Sequence, residues 1–145
     1  MDVRENKKPR NLNAAGVLLL DENNKVLLQH RTDSGTWGIP GGGLNIGESL
    51  EDAARREVFE ETYLNVGEME LFNVYSGEEQ HWIYPDGNEV YIVNIVFISR
   101  DYHGIIKPDG IESKELKFFD VNDLPELIAT NLPILNDLRN RIDKI

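Results

Sequence analysis

The stretch from Trp37 to Val66, WGIPGGGLNIGESLEDAARREVFEETYLNV, decides the fold that this sequence predicts. Pro40 is followed by three glycines at positions 41–43, and a further glycine stands at position 47. Glycine suits places where the backbone takes a positive φ or approaches a ligand closely. The stretch therefore predicts a loop and a turn before a regular element begins.

A helix is predicted directly after that turn. Ser49 is a favourable N-cap, and Asp52 lies three residues later, near the position that a capping box gives to Glu or Gln. The pattern predicts a helix over about residues 50–63, and this helix carries a dense run of glutamates.

Three of these glutamates share one face of the predicted helix. Glu57, Glu60 and Glu61 are neighbours because residues at i, i+3 and i+4 lie on the same side. They extend the apolar stripe, so the carboxylates face the protein, where repulsion and partial burial make their charges costly. A hard divalent cation such as Mg²⁺ removes that cost, since it takes oxygen ligands and keeps substrate phosphates. A solvated acidic helix is the alternative interpretation.

The spacing of these residues resembles the signature of the Nudix hydrolase family, G-x5-E-x7-R-E-U-x-E-E-x-G-U, in which U is aliphatic. The matching residues are Gly42, Glu48, Arg56, Glu57, Glu60, Glu61 and Leu64. One fixed position differs, because Tyr63 stands where the family has a glycine that ends the helix. The exit from the helix is therefore the point where this chain departs from the pattern.

The resemblance implies an α/β fold, an α/β/α sandwich with a mixed β-sheet. It also implies a reaction, the hydrolysis of a pyrophosphate bond in a nucleoside diphosphate derivative by a metal-activated water. Mg²⁺ is the expected cofactor, with Mn²⁺ as the alternative. A nucleoside triphosphate or a nucleotide sugar is the favoured substrate, and ADP-ribose stays open because a fold does not fix a substrate. A non-catalytic nucleotide-binding sensor is the alternative function.

The resemblance also implies a set of metal ligands. These are the carboxylates of Glu57, Glu60 and Glu61 and the backbone carbonyl of Gly41. Glu57 is either a ligand or the general base, and the spacing does not separate these two roles.

Two further catalytic features follow from the resemblance. Arg56 is expected to hold a glutamate in place through a salt bridge, with Glu48 and Glu60 as the candidate partners. A metal-binding or base glutamate is expected just before a late strand, at Glu112 or Glu115. Glu112 is favoured because it lies in the predicted loop.

Two residues before the glycines are weaker candidates for substrate binding. Arg31 lies just before the loop, and its guanidinium fork suits a phosphate group, although a solvated strand end is the alternative. Trp37 either lines the pocket or packs in the core.

Length and composition bound the class of protein. The 145 residues predict a single domain over 1–145, with a flexible polar lead-in over 1–10. There are no cysteines, which excludes disulfides and thiolate metal sites. No apolar run is long enough to span a membrane, and the N-terminus lacks the apolar segment of a secretory signal. The cytoplasm is therefore the expected location.

The net charge of −11 argues against broad binding to nucleic acid, which relies on a basic surface. A small-molecule nucleoside diphosphate derivative is the expected partner, and a homodimer is left open. A polyphosphate would itself be repelled unless metal ions and local basic residues reverse the field at the site.

The rest of the chain predicts strands on both sides of the helix. A hairpin is predicted from the apolar runs 13–20 and 25–29, which the turn residues 21–24 separate. After the helix, strands are predicted over 68–76, 89–99 and 115–121. The run 89–99 is nearly continuous in apolar residues and predicts a central strand that is covered on both faces.

Two helices are predicted near the C-terminus. Asn122 or Asp123 can cap a short helix at about 124–129, and residues 132–145 have the apolar spacing of an amphipathic helix.

Tyr63 carries a hypothesis of its own. Phe59 and Tyr63 are i, i+4 neighbours opposite the glutamates and are expected to form an aromatic pair. We expect this pair to pack against the C-terminal helix or the strand at 68–76 and so to anchor the end of the helix. A partly exposed Tyr63 of no consequence is the alternative.

Overall fold

The computed structural model describes residues 8–145. The lead-in predicted for residues 1–10 lies outside the described residues up to position 7, and Arg10 already begins the first strand. No helix in the described part of the chain is both long and apolar enough to cross a membrane.

Ten strands and two α-helices make up the described chain. The strands are β1 (Arg10–Leu19), β2 (Val26–Arg31), β3 (Trp37–Gly38), β4 (Gly41–Gly43), β5 (Asn65–Val66), β6 (Glu70–Tyr75), β7 (His81–Ile83), β8 (Glu89–Ser99), β9 (Tyr102–His103) and β10 (Ser113–Phe119). The helices are α1 (Leu50–Thr62) and α2 (Leu132–Arg141), and single 3₁₀ turns lie at Glu78–Gln80, Ala129–Asn131 and Ile142–Lys144.

The main sheet is mixed. Its strands run in the order β4-β1-β8-β6, and β7 also pairs with β8. β1 and β8 are parallel from Arg10↔Val90 to Leu19↔Ser99, whereas the other pairs in this sheet are antiparallel. A second, antiparallel sheet has the order β10-β2-β3, and β5 pairs with β9. The predicted mixed sheet is confirmed.

The two faces of the main sheet are covered by different helices. On one face, Val96 and Ile98 of β8 belong to the same buried cluster as Leu135 of α2. On the other face, Ile95 and Phe97 cluster with residues of α1. Each fully buried Leu, Ile or Phe contributes roughly 1.5–3 kcal/mol, so a central strand that is apolar on both faces holds both layers in place. The predicted α/β/α sandwich is confirmed.

The predicted hairpin between the first two strands is wrong. Residues 21–24 do turn, and the side chain of Asp21 accepts hydrogen bonds from the backbone N–H groups of Asn23 and Lys25. Between the named strands themselves no ladder forms in the described chain, and only the isolated bridge Leu20↔Val26 precedes β2. Strand β1 instead pairs with β8 over its whole length and with β4 over Ala14–Gly16.

The short helix predicted at 124–129 is also wrong. This segment is extended, because its backbone pairs with Trp37: the Trp37 N–H donates to Glu126 O at 2.9 Å, and the Ile128 N–H donates to Trp37 O at 2.8 Å. The C-terminal helix, by contrast, forms as predicted from Leu132.

The end of α1 differs from the hypothesis for Tyr63. The aromatic pair exists, with the rings of Phe59 and Tyr63 5.8 Å apart at 65°. The expected packing against α2 or β6 is wrong, because α2 covers the other face of the sheet, and the two residues stay 45% and 42% exposed. Tyr63 instead takes the left-handed conformation, with φ 64° and ψ 16°, in which glycine usually ends a helix.

This geometry makes a testable prediction for Tyr63. We expect Tyr63→Gly to change the free energy of unfolding by less than about 1 kcal/mol, because relief of the left-handed conformation offsets the lost aromatic contact and the added chain entropy. Tyr63→Val should be less stable than Tyr63→Gly, because a β-branched residue is strained at positive φ. Urea unfolding of both variants checks the order. A valine variant more stable than the glycine variant would show that apolar burial dominates here.

Candidate functional site

A cleft of about 370 Å³ lies between the main sheet and the sheet of β2. Strand β4, the glutamate face of α1 and the segment that leads into α2 complete its walls. Among the residues that line it are Leu12, Ala14, Gly16, Gln29, Arg31, Ile39, Gly41, Gly42, Gly43, Glu57, Glu61, Trp82, Tyr84, Ile92, Asn94 and Glu112.

The three consecutive glycines differ in what a side chain would meet at each position. A Cβ on Gly41 would lie 2.6 Å from the Ala15 carbonyl oxygen, because β4 and β1 approach closely there. A Cβ on Gly42 would lie 2.6 Å from the carboxylate of Glu57. A Cβ on Gly43 would meet its nearest neighbour at 3.6 Å, an ordinary contact. The first glycine therefore permits strand pairing, and the second leaves room for a carboxylate.

Glu61 is a buried carboxylate at the inner end of the cleft, only 1% exposed. Its Oε1 accepts hydrogen bonds from the Gly41 N–H at 2.9 Å and from Gln29 Nε2 at 3.1 Å. Burial raises the pKa of Glu61 well above its usual value, and the charges of Glu57 and Glu112 act in the same direction. The two hydrogen bonds oppose this rise in the pKa but do not cancel it.

Gln29 connects Glu61 to the strand that follows Glu112. Its Nε2 donates to Glu61, and its Oε1 accepts a short hydrogen bond from the hydroxyl of Ser113. Gln29 and Ser113 are both buried. Sequence reasoning missed both residues. The detectable signal is a lone amide that follows Val26-Leu27-Leu28 in an apolar strand, since a buried amide needs partners.

Arg56 is the cation at the mouth of this site. It binds both carboxylate oxygens of Glu48, at 2.8 and 2.9 Å, and it also donates to Gly43 O at 2.8 Å. Its Nη1 lies 2.9 Å from Glu57 Oε1 and 3.3 Å from Glu60 Oε2. Of the two candidate partners, Glu48 therefore makes the bidentate pair. This pair lowers the pKa of Glu48 to about 2.

The helix glutamates sit in three different environments. The Glu60 side chain is 56% exposed, whereas Glu57 lines the cleft beside buried Glu61. Burial raises the pKa of Glu57, and the hydrogen bond from Arg56 opposes that rise. Within residues 8–145, no group of three or more His, Asp or Glu side chains is arranged to hold a metal ion by itself.

The donor chemistry of the site nevertheless fits a hard divalent cation. Glu57 and Glu61 each have a raised pKa because their charges are partly buried and repel each other and Glu112. An oxygen-rich site with unneutralised negative charge is what Mg²⁺ or Mn²⁺ prefers, with waters and substrate oxygens completing the shell.

Of the remaining candidate residues, two line the cleft and two do not. Glu112 lines the cleft, but Glu115 does not. Arg31 lines it with its guanidinium paired to Asp33 at 2.7 Å. Trp37 does not line it: the indole stacks on His30 at 4.8 Å and packs against the core.

The NUDIX domain family matches residues 10–138 of this chain, which includes the whole glycine and glutamate stretch. The chain belongs to this family. The expected Nudix-type pyrophosphohydrolase is thereby confirmed as a class, whereas its substrate is not fixed by the family.

Curated relatives span several substrates. The Nudix chain is 35% identical over 122 residues to the ADP-ribose pyrophosphatase of Methanocaldococcus jannaschii, which covers 82% of this chain and 68% of that protein. It is 29% identical over 145 residues to the NAD-capped RNA hydrolase NudC of Vibrio atlanticus, but it spans only 50% of that longer protein.

Solved structures support the fold. The NUDIX domain of Shewanella oneidensis NrtR, complexed with ADP ribose, superposes with a TM-score of 0.74 at 21% identity, covering 98% of this chain and 94% of the other. At this identity the likeness concerns the fold alone.

The glycine series makes a matched prediction for this Nudix protein. Gly41→Ala should lower the free energy of unfolding by about 1–3 kcal/mol or more, because its Cβ meets backbone atoms that cannot move aside. Gly42→Ala should keep most of the stability but lose hydrolysis, because only the flexible end of Glu57 has to move. Gly43→Ala is the control and should match the wild type. Urea unfolding and a hydrolysis assay on the three variants check this pattern, and equal effects at positions 42 and 43 would contradict it.

The raised pKa of Glu61 predicts how stability depends on pH without metal. A carboxyl with a higher pKa in the folded state than in the unfolded state binds more protons when folded, so stability falls as pH rises above the usual carboxyl pKa of about 4.3. In EDTA at pH 8, Glu61→Gln should therefore be more stable than the wild type by on the order of 1 kcal/mol. The difference in the free energy of unfolding between this variant and the wild type should disappear towards pH 4. Urea unfolding across this range checks it, and a variant less stable at pH 8 would contradict it.

Proposed function

We propose that this Nudix protein hydrolyses the pyrophosphate bond of a nucleoside diphosphate derivative with the help of Mg²⁺, or of Mn²⁺ as the alternative. The observation that carries the proposal is the buried Glu61 carboxylate, which the Gly41 N–H and Gln29 hold beside Glu57 in an open cleft. A carboxylate is seldom fully buried in a protein unless it pairs with a group of opposite charge, and strongly perturbed carboxylates cluster at functional sites.

The proposed metal ligands are Glu57, Glu60 and Glu61 with the carbonyl of Gly41. A metal bound there would neutralise phosphate charge and lower the pKa of an attacking water. Glu60 lies nearest to solvent, so it suits a ligand that completes the site together with the substrate. Arg56 acts as a positioning residue, because it fixes Glu57 while Glu48 fixes Arg56 itself.

We propose Glu112 as the general base and Glu57 as a ligand. One carboxylate oxygen of Glu57 already accepts a hydrogen bond from Arg56. This hydrogen bond favours the charged form of Glu57 and holds its carboxylate in place as a metal ligand. The Glu112 side chain lines the cleft from an exposed loop and makes no ion pair with any residue of the described chain. A carboxylate that is free to reorient suits the transfer of a proton from water.

The substrate class follows from the charges around the cleft and from the relatives. Arg31 is tied to Asp33, so few cations are free to hold a long polyphosphate, and a diphosphate that bridges to the metal needs fewer of them. The ADP-ribose pyrophosphatase of M. jannaschii and the ADP-ribose complex of the NrtR domain support a nucleoside diphosphate sugar. Nucleoside triphosphates are the second class to test.

The deciding experiment is a substrate panel at pH 8 with Mg²⁺, in which ADP-ribose, a UDP-sugar and deoxynucleoside triphosphates are each followed by chromatography of the products. Cleavage of ADP-ribose should give AMP and ribose 5-phosphate. Glu61→Gln should lower kcat/KM by at least about 100-fold, since a residue that acts in the transition state commonly costs that much.

Glu51→Gln is the matched control, because Glu51 is an exposed glutamate of the same helix outside the cleft. Near-normal turnover by Glu61→Gln would overturn the metal assignment. Calorimetric binding of Mg²⁺ and ADP-ribose without cleavage of any substrate would instead support a nucleotide-binding sensor.

A further inference from the structure

Ser113, the first residue of β10, is a fully buried serine that uses its hydroxyl on another buried side chain. The hydroxyl donates a hydrogen bond to Gln29 Oε1, and within residues 8–145 it has no other hydrogen-bond partner. It therefore does not bind the proposed metal ligands or the proposed base directly. Any influence of the Ser113 hydroxyl on the Glu61 carboxylate has to pass through Gln29.

The groups on the other side of Gln29 fix the direction in which its amide points. Gln29 Nε2 faces two acceptors, the Glu61 carboxylate at 3.1 Å and the Ile39 carbonyl oxygen at 3.3 Å. A carbonyl oxygen accepts and never donates, so the NH₂ group lies on this side and Oε1 on the opposite side. Ser113 supplies the donor that Oε1 needs there. Without that donor, a buried oxygen loses its partner and the amide loses one of the contacts that hold it against Glu61.

A bulge in β10 brings this serine, and not a lysine, to the cleft side of the strand. The later pairs of β10 and β2 run without interruption, so a regular ladder would place Lys114 opposite Arg31. The register shifts at this point, and Ser113 pairs with Arg31 instead. Because Gln29 and Arg31 are two residues apart on one face of β2, Ser113 becomes the diagonal neighbour of Gln29. Bulges commonly redirect a side chain next to an active site in this way.

The backbone just before Ser113 is held by hydrogen bonds of its own. Asp109 Oδ1 accepts from three consecutive backbone N–H groups, those of residues 111–113, at 2.8, 2.8 and 3.0 Å. The Thr32 N–H also donates to the Glu112 carbonyl oxygen at 3.1 Å. The backbone of Glu112 and the Ser113 hydroxyl are thus parts of one ordered segment.

We propose that Ser113 is a positioning residue, whose hydroxyl acts through Gln29 to hold the Glu61 carboxylate at a fixed place relative to the Glu112 backbone. This inference rests on the proposed function, in which Glu61 binds the metal and Glu112 is the base. A group that orients a metal ligand from behind commonly changes metal affinity by about 10- to 100-fold when it is removed.

The first test is hydrogen exchange measured by NMR in EDTA, which depends on neither metal nor turnover. The Gly41 N–H donates to Glu61 Oε1 at 2.9 Å, so a carboxylate that loses its position leaves this N–H less protected. Ser113→Ala should raise the exchange rate of the Gly41 N–H by about tenfold. The Leu44 N–H is the internal control, because it donates to the Asn13 carbonyl oxygen and not to Glu61. Its exchange should stay unchanged.

The second test is calorimetric binding of Mg²⁺ without substrate. Ser113→Ala should weaken Mg²⁺ by about tenfold, although the hydroxyl itself is not a ligand. In a Gln29→Leu background the same substitution should change Mg²⁺ affinity by less than about twofold, because the route from Ser113 to Glu61 is already broken. If the Gln29→Leu background does not fold, the Gly41 exchange decides alone.

Ser99→Ala is the matched control variant. Ser99 is also a buried serine with a hydrogen-bonded hydroxyl, which donates to the Glu68 carbonyl oxygen at 2.6 Å, but it lies outside the cleft. This variant should leave both the Gly41 exchange and the Mg²⁺ affinity unchanged. Circular dichroism checks that each variant is folded, and Ser113→Cys, which keeps the size and weakens the donor, replaces Ser113→Ala if the alanine variant does not fold.

Three outcomes would overturn the inference: an unchanged Gly41 exchange rate in folded Ser113→Ala, an equal rise at Leu44, or a full tenfold loss of Mg²⁺ affinity in the Gln29→Leu background. A failure of the proposed function is distinguishable from these outcomes. If the wild type binds no Mg²⁺ while Ser113→Ala still raises Gly41 exchange selectively, the positioning by Ser113 stands and the metal-dependent function falls.

Discussion

The close approach of β4 to β1 is the constraint on which the rest of the site depends. Because Gly41 has no side chain, its backbone packs against Ala15 and Gly16, and its N–H then points at the Glu61 carboxylate. That hydrogen bond, together with Gln29, is what keeps a carboxylate in an almost fully buried position. The sheet, the glycine loop and α1 are thereby connected through one polar contact, and a side chain at position 41 would separate all three.

Arg56 performs the complementary task at the exposed end of the site. It is shared among Glu48, Glu57, Glu60 and the Gly43 carbonyl, so it links the start of α1, the glutamate face and the glycine strand. The cleft itself is lined by one guanidinium, that of Arg31, and by the carboxylates of Asp33, Glu57, Glu61 and Glu112, so it is acidic, as is the chain with its net charge of −11. An acidic cleft repels phosphate, so a bound cation is the simplest way for it to accept a diphosphate.

The cleft therefore has two ends with different chemistry. The end at Glu57 and Glu61 is charged and close to the glycine strand, while the end at Asn94 and Trp82 is largely apolar, and the buried Trp82 Nε1–H has no hydrogen-bond partner within residues 8–145. The parallel pairing of β1 with β8 sets the separation of the two ends. The proposed hydrolysis takes place at the first end, and selectivity for a particular nucleotide is expected at the second.

The sequence by itself indicated the helix that carries the glutamates, because that helix depends on local spacing and capping. The spacing of the glycines and charged residues also indicated the family, and the resemblance to that family implied the mixed sheet between helices. Ser49 caps that helix as expected, with its hydroxyl accepting from the Asp52 N–H. Only the tertiary structure decided which glutamate is buried and which is exposed, since helical spacing gives a shared face but not the surface that it meets. It also decided that β1 pairs with β8 instead of β2, and that Gln29 and Asn94 enter the cleft. Those outcomes depend on contacts between residues far apart in the chain, which no local pattern records.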